Sequence, residues 1–241
     1  MPRYFIEVAY KGTNYSGFQV QQNANSIQAE VEKALEIFYK QKIELTGSSR
    51  TDAGVHALQN YFHFDTDLPI KDDAYNLNAI LPTDIVVKNI RSVDDEAHCR
   101  FDALSREYHY FVYRHKDPFL QGMAYYLPYS VDMDLLRQAA AEIKKHTDFT
   151  SFAKRNTQVN SFICNISVSE WVEEKDCLVY KVKANRFLRG MVKGLVGTML
   201  LVGKKKISVE DFKTIIESRD CTKADFSVPS HGLFLSAVIF P

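Results

Sequence analysis

Segments with the periodicity of strands and of helices alternate along the whole chain, and no Pro-, Gly- or Ser-rich linker separates them. Residues 4–10 alternate in the manner of a strand, and residues 27–38 carry an apolar stripe at helical spacing after the candidate N-cap Ser26. Because elements of both kinds bury their apolar faces against one another, this order predicts an α+β fold.

The same patterns predict the remaining elements. Further strands are expected at residues 43–46, 61–64, 85–90, 108–113, 163–172, 178–184 and 233–240. Further helices are expected at residues 72–80, 135–143 and 188–202, and after a capping box at 208–211. The order predicts two ferredoxin-like βαβ halves, residues 1–103 and 104–241, which share an extended, mainly antiparallel sheet with helices packed on one side.

Composition excludes several classes of protein. The 241 residues include 30 Lys and Arg against 30 Asp and Glu, and 46% are hydrophobic, which is typical of a globular protein rather than a disordered, collagen-like or coiled-coil one. The apolar run at 195–203 is far shorter than the roughly 20 residues that span a membrane. Glu7 interrupts any signal-type core at the N-terminus.

The cysteines indicate a reducing compartment. Cys99, Cys164, Cys177 and Cys221 have no Cys-x-x-Cys spacing and no accompanying His pattern. We therefore expect reduced thiols in a cytoplasmic protein, with neither disulfides nor a metal site. His56, His63 and His98 have no neighbouring partner along the chain and are interpreted as structural.

The polar segment GSSRTDAGVH at residues 47–56 carries the strongest chemical signal. Arg50 stands two residues before Asp52, and a cation that close favours the ionised carboxylate, which suits nucleophilic or electrostatic work. Ala53 and Gly54 leave room for a ligand to approach the backbone. The same letters also fit an Asp-containing turn with a surface arginine, and spacing alone does not decide between the two.

Positive charge is concentrated in residues 181–206, here named the basic stretch. It contains the following cations: Lys181, Lys183, Arg186, Arg189, Lys193, Lys204, Lys205 and Lys206. RNA binding depends on such local charge rather than on the net charge, which is zero here. Arg186 and Arg189 also precede a helix whose N-terminus would attract phosphate. The alternative is a solvated charged surface.

The segment RTDAGVHA at residues 50–57 resembles the active-site motif of the tRNA pseudouridine synthase A family. Seven more segments resemble blocks of that family in the same order: residues 10–19, 78–85, 98–103, 106–110, 148–152, 187–193 and 232–235. The resemblance implies a cofactor-free, metal-free isomerase that converts uridine to pseudouridine in the anticodon arm of tRNA, at tRNA positions 38–40. It also implies a homodimer that holds tRNA in a basic cleft.

The resemblance implies a role for each matching residue. Asp52 would be the nucleophile in a reaction that breaks the N1–C1′ bond, turns the uracil and rejoins it through C5. The first half would carry this catalytic loop, and the second half would complete the cleft. Tyr108 would stack on the base, and Leu233 would pack in the pocket. Arg50 would contact phosphate or fill the vacated stack, and Lys193 would place a cation beside the carboxylate. The residues that would bind tRNA are Lys181, Arg186 and Arg189.

Alternatives remain at this stage. Tyr108 and Leu233 also fit ordinary core positions of their strands. The chain departs from the family pattern at Ser49, usually Gly, at Lys193, usually Arg, and at 189–190, commonly His-like. A non-catalytic RNA-binding module would not need Asp52, and an Asp-dependent nucleosidase-like enzyme would usually need a second carboxylate as general acid. The sequence leaves open whether Asp52 attacks the sugar or the base.

Overall fold

The computed structural model describes residues 1–71, 73–155, 157 and 159–241. The strands, in chain order, are β1 (Arg3–Tyr10), β2 (Thr46–Gly47), β3 (His56–Asp65), β4 (Ile85–Val93), β5 (Ser105–Tyr113), β6 (Tyr125–Tyr126), β7 (Ile166–Glu174), β8 (Cys177–Ala184) and β9 (Leu233–Ile239). The helices are α1 (Ile27–Tyr39), α2 (Ala74–Ile80), α3 (Met133–Ile143), α4 (Met191–Gly203) and α5 (Val209–Glu217). This mixture confirms the predicted α+β class.

The chain forms two compact units. Unit 1 comprises Met1–Leu104 together with Phe234–Pro241, and unit 2 comprises Ser105–Leu233. In unit 1, β1 pairs antiparallel with β3 and β4, while β3 also pairs antiparallel with β2 and parallel with β9. Ser26 is the N-cap of helix α1, since its side chain accepts the backbone N–H of Ala29, and α1 packs on α2.

Unit 2 is built around strands β5, β8 and β7, which pair antiparallel in that order, and β6 pairs parallel with the end of β5. The apolar run predicted at 195–203 lies in α4, which is buried along almost its whole length and packs on α3 and α5. The Trp171 indole N–H of β7 donates to the Met199 sulfur of α4 at 3.5 Å. Ser208 and Asp211 form the predicted capping box of α5.

The strand predicted at residues 43–46 is wrong, because pairing begins only at Thr46. Ile43 and Leu45 are buried as their apolar character requires. The backbone N–H of Leu45, however, donates to the Glu32 carboxylate, and its carbonyl accepts from the Gln28 side chain. Side chains of α1 thus satisfy backbone groups that a neighbouring strand would otherwise satisfy.

Other predicted boundaries differ by a few residues. Helix α2 begins at Ala74, and Asp72, the predicted start, lies outside the described residues. Helix α4 begins at Met191 rather than near 188, since Gly190 before it has a φ of 76°. Strand β7 begins at Ile166 rather than 163. Among the described residues, no helix has both the length and the apolar character needed to cross a membrane.

Candidate active site

Asp52 lies in the connection between β2 and β3, as predicted for residues 47–56. The backbone N–H of Val55 donates to the Asp52 carbonyl at 3.1 Å and closes a turn directly after the aspartate. Gly54 has a φ of 77°, a left-handed conformation that glycine adopts without a Cβ penalty. Asp52 itself is half-buried.

The residues that flank Asp52 are buried and hydrogen-bonded. Thr51 is 7% exposed, its hydroxyl pairs with the Tyr10 hydroxyl at 2.8 Å, and its carbonyl accepts the Phe18 N–H at 3.1 Å. The Asn60 side chain donates to the Ser49 carbonyl at 2.8 Å and to the Tyr10 hydroxyl at 3.2 Å. These bonds hold the backbone on the N-terminal side of Asp52 in one conformation.

Two glycines allow the segment after β1 to pack against this loop. A Cβ on Gly12 would lie 2.0 Å from the Val55 carbonyl oxygen, and one on Gly17, whose φ is 113°, would lie 3.0 Å from the Thr51 carbonyl oxygen. The Gly12 N–H donates to His56 Nδ1 at 3.0 Å, which assigns the remaining ring proton of a neutral His56 to Nε2. His56 is almost fully buried and contacts the Phe234 ring.

Arg50, the cation of the motif, is exposed. Its side chain lines a cavity of about 220 Å³ in unit 1, and Asp52 is not among the residues lining that cavity.

The remaining predicted site residues belong to unit 2. Tyr108 of β5 is 9% exposed and meets the Phe187 ring edge-on, with 5.0 Å between ring centroids. Tyr110 and Val112 follow on the same buried face. Leu233 begins β9 and is 7% exposed. Both Tyr108 and Leu233 thus occupy packed, only slightly exposed positions, where neighbouring side chains hold a ring or an alkyl group in one orientation.

Lys193 stands in the first turn of α4 and is half-buried. Its ammonium donates to the Ser230 hydroxyl at 3.4 Å. Burial chiefly, together with the Lys193 charge, lowers the pKa of His231 below its usual value. The departure from the family pattern at Gly190 coincides with a left-handed N-cap, where a Cβ would lie 2.9 Å from the Lys154 side chain.

The predicted tRNA-binding cations are held in different ways. Lys181 of β8 is ion-paired with Glu174 of β7, and its backbone neighbour across β7 is Glu170. Arg186 follows β8 and is half-buried, whereas Arg189 is exposed. The positive charge of the basic stretch is therefore partly compensated by nearby acids.

One group of side chains could hold a metal by its donor chemistry, and sequence analysis missed it. Among the described residues, His63, His98 and Cys99 bring ligand atoms within 4.8 Å of one another in unit 1. His63 Nδ1 lies 3.1 Å from Cys99 Sγ, and the thiol donates to the Thr46 carbonyl at 3.2 Å. Burial, with smaller contributions from His98 and Arg3, lowers the pKa of His63 to about 4. These hydrogen bonds account for the group as part of the core.

Sequence analysis missed how Tyr10, Gly12, Thr51 and Asn60 hold the Asp52 loop. Their partners are 11 to 50 positions away along the chain, so local spacing does not reveal them. Tyr10 and Gly12 lie in the segment 10–19 and Thr51 in the segment 50–57, which the family resemblance had singled out without assigning these three residues a role.

Comparison with known proteins gives consistent matches. A family profile described as tRNA pseudouridine synthase matches residues 6–102 and 139–241, which include Asp52, while Tyr108 lies between the two ranges. A protein of Parabacteroides distasonis named tRNA pseudouridine synthase A is 43% identical over 244 residues, covering 100% of this chain and 97% of the relative. Proteins of the same name from Porphyromonas gingivalis and Bacteroides thetaiotaomicron are 41% and 44% identical over 100% of this chain, and over 98% and 91% of their own lengths.

Proposed function

We propose a site and a mechanism from the premise that this chain belongs to the tRNA pseudouridine synthase family. It is an isomerase that acts on uridine in tRNA. We infer in addition that its target uridines lie in the anticodon arm, that Asp52 is the nucleophile, and that the protein acts as a homodimer in the cytoplasm.

The reaction needs one reactive group and a confined base. The N1–C1′ bond of uridine breaks, the uracil turns, C5 bonds to C1′, C5 loses its proton and N1 gains one, so no atom is gained or lost overall. The Asp52 carboxylate attacks either C1′ of the sugar or the uracil ring. In the first case its bond to C1′ forms as the N1–C1′ bond breaks and is broken in turn when C5 bonds to C1′; in the second it adds to the ring and is eliminated after C5 has bonded to C1′. Both routes regenerate the free carboxylate. The conformation of the loop is the observation that carries this proposal. The half-exposed carboxylate follows the buried, hydrogen-bonded Thr51 and requires little reordering before it reacts.

The other residues bind and orient the nucleotide. Tyr108 stacks on the target base, Leu233 packs against it, and Lys193 contributes a positive charge to substrate binding. Arg50 contacts a phosphate or fills the stack that the flipped nucleotide leaves. Lys181, Arg186 and Arg189 bind the tRNA backbone, whose phosphates dominate affinity.

The rival activities predict different products. A non-catalytic RNA-binding module would leave the RNA unchanged, and a nucleosidase-like enzyme would release free uracil and leave an abasic site. An isomerase leaves the mass of the RNA unchanged. The intact Asp52 motif and the family membership both favour the isomerase.

The decisive experiment incubates the purified protein with unmodified tRNA transcripts and with isolated anticodon arms, without added cofactor. Pseudouridine is then mapped by chemical modification and reverse transcription, and the RNA mass is measured in parallel. We expect pseudouridine in the anticodon arm, no free uracil and an unchanged mass. Pseudouridine confined to another arm would contradict the proposed target, and released uracil would contradict the isomerisation.

A further inference from the structure

The cavity of about 220 Å³ in unit 1 has no assigned role in the proposed chemistry at Asp52. Its walls combine an exposed aromatic ring with two guanidinium groups. The lining includes Phe18, Arg50, His98, Arg100 and Phe101, together with Gly47. A cavity of this composition differs from the apolar pockets that bind most small molecules.

Phe101 is the most conspicuous member, because 73% of it is exposed. The turn that carries it is closed by N–H donors of Phe101 and Asp102 to the His98 carbonyl, at 3.1 and 3.0 Å. The Asp102 carboxylate accepts the His98 N–H at 2.7 Å, and the imidazole lies 4.2 Å from the Phe101 ring. The Phe101 ring is therefore solvent-exposed on a turn whose conformation is fixed by hydrogen bonds.

Two cations border the same cavity. The Arg100 guanidinium lies 5.7 Å from the centroid of the Phe101 ring, and Arg50 lines the cavity from the Asp52 loop. Both arginines are exposed. A guanidinium binds a phosphate through two parallel hydrogen bonds, and an aromatic face stacks on a nucleobase, so the two kinds of group together match the two ends of a nucleotide.

The opposite wall is already formed. Phe18 is 1% exposed and stacks on Phe62 with 4.4 Å between ring centroids and 10° between planes. A Cβ on Gly47 would lie 2.4 Å from the Phe18 ring, so the backbone at that point packs directly on the aromatic wall. Binding of a ligand in this cavity therefore costs little free energy for reorganising Phe18 and the backbone at Gly47.

We infer that this cavity is an RNA subsite that holds one unpaired nucleotide of the tRNA substrate next to the Asp52 loop. The base stacks on Phe101, and Arg100 with Arg50 holds the adjoining phosphate. The inference rests on the proposed function, since it assumes that the RNA reaches the Asp52 loop. It adds a binding contribution from residues 98–101 that the reaction itself does not require.

The first test measures the affinity of Phe101→Ala for an unmodified tRNA transcript by fluorescence anisotropy at constant salt. Loss of one stacking contact is expected to weaken binding about tenfold, within the range for aromatic–base stacks. Phe101→Trp keeps a stacking face and is expected to bind like wild type. Phe119→Ala is the matched control, because Phe119 is 89% exposed but belongs to unit 2.

A fully double-stranded RNA separates stacking from general attraction. Phe101→Ala is expected to bind the duplex like wild type, because a paired base offers no free face. Equal affinity of Phe101→Ala and wild type for tRNA would overturn the inference, as would an equal loss for tRNA and duplex. Thermal unfolding of each variant is measured first, and Phe101→Leu, which keeps apolar volume without an aromatic face, replaces Ala if that variant unfolds.

The cation is tested separately through salt dependence. Arg100→Gln is expected to reduce the slope of log affinity against log salt by about 0.7 to 0.9, the value of one phosphate contact. An unchanged slope would remove Arg100 from the subsite. Wild-type protein is assayed for pseudouridine in the same samples. Absence of product in wild type would refute the proposed function, whereas product with unaffected Phe101 and Arg100 variants would refute only the subsite.

Discussion

The Asp52 loop of unit 1 and the basic stretch of unit 2 are both polar, but the fold holds them in opposite ways. Thr51 beside the aspartate is buried and bonded through its side chain and its backbone. In the basic stretch Arg189 is exposed and Lys181 is ion-paired with a surface acid. Bond-making requires an atom held in place, whereas attraction of phosphate acts over roughly 8–10 Å and tolerates mobile side chains.

This contrast predicts that single substitutions abolish function in the loop and only weaken it in the basic stretch. The largest effect is expected for Asp52→Ala, which removes the proposed nucleophile. Pseudouridine formation should fall by at least about 1,000-fold, equivalent to about 4 kcal/mol of transition-state stabilisation. Affinity for tRNA should stay within several-fold of wild type. Single-turnover rates on a tRNA transcript measure the first quantity.

Asp67→Ala is the control for that experiment, since Asp67 is an exposed carboxylate of the same unit. It removes the same charge and should leave the rate unchanged. Turnover of Asp52→Ala near that of wild type would refute the assignment of the nucleophile. Turnover of Asp52→Asn near wild type would do the same, because the amide lacks a nucleophilic oxygen anion.

Tyr108 tests whether unit 2 also contains a residue that is held in place for the reaction. It is 9% exposed and packed edge-on against Phe187. Tyr108→Ala should lower the rate about 10- to 100-fold through loss of stacking, and Tyr108→Phe should retain the ring and lose less. Full activity of the Phe variant would show that the hydroxyl has no chemical role. Full activity of the Ala variant would end the stacking assignment.

Joint neutralisation of Lys181, Arg186 and Arg189 to Gln is the third test. We expect tRNA affinity about tenfold weaker at low salt and a salt slope smaller by about 2, because the Lys181 ammonium is already paired with Glu174 and gains little from a phosphate. The rate at saturating tRNA should change little. A salt slope equal to that of wild type would place the RNA elsewhere on the protein.

A variant with the same change in net charge controls for long-range attraction. Three exposed cations of unit 1 serve this purpose: Lys33 within α1, Lys40 at its C-cap and Lys42 just beyond it. Their joint replacement by Gln should affect tRNA affinity less than the triple variant of the basic stretch. An equal loss from both variants would show that only total charge matters, and the comparison between the two regions would then fail.

The fold class was predictable because strand and helix periods differ along the chain. The helix N-caps at Ser26 and Ser208 were likewise predictable from the local sequence. The absence of a strand at 43–46 was not predictable, because the backbone N–H and carbonyl of Leu45 are hydrogen-bonded to side chains that come more than ten positions earlier in the chain. Local periodicity reports burial but not the identity of the hydrogen-bond partner. The assignment of residues 1–103 and 104–241 as ferredoxin-like halves stays a prediction.

In the candidate site, too, features that depend on the local sequence were predictable and those that depend on distant partners were not. The contiguous motif around Asp52 was predictable, because its letters are adjacent and their order is distinctive. The bond between Tyr10 and Thr51 joins residues 41 positions apart, and the contact between His63 and Cys99 joins residues 36 apart. Neither contact can be predicted from the spacing of these residues along the chain. The ion pair of Lys181 was equally invisible, since it depends on the register of β7 against β8.

The Tyr10–Thr51 bond gives the next prediction. Thr51→Val keeps the shape of the side chain but removes the hydroxyl that is hydrogen-bonded to the buried Tyr10 hydroxyl. We expect the free energy of unfolding to fall by about 1–2 kcal/mol and the rate at saturating tRNA to fall several-fold. Thr83→Val is the control, because Thr83 is exposed in the same unit. Urea unfolding and single-turnover rates measure the two effects, and a Thr51→Val enzyme with wild-type values would show that this bond does not hold the loop.

The smallest effect distinguishes cations within the basic stretch. The Lys181 ammonium is already paired with Glu174, and Glu170 stands beside it across the sheet. A phosphate that binds Lys181 must displace or share this partner, so the gain from the contact is small. Lys181→Gln should therefore weaken tRNA binding less than twofold, whereas Arg189→Gln should weaken it about three- to fivefold. Glu174→Gln would release the lysine and is expected to strengthen binding slightly. If Lys181→Gln cost as much affinity as Arg189→Gln, the ion pair between Lys181 and Glu174 would have to open when RNA binds, and the charge pattern of the free protein would not predict which cations contact the RNA.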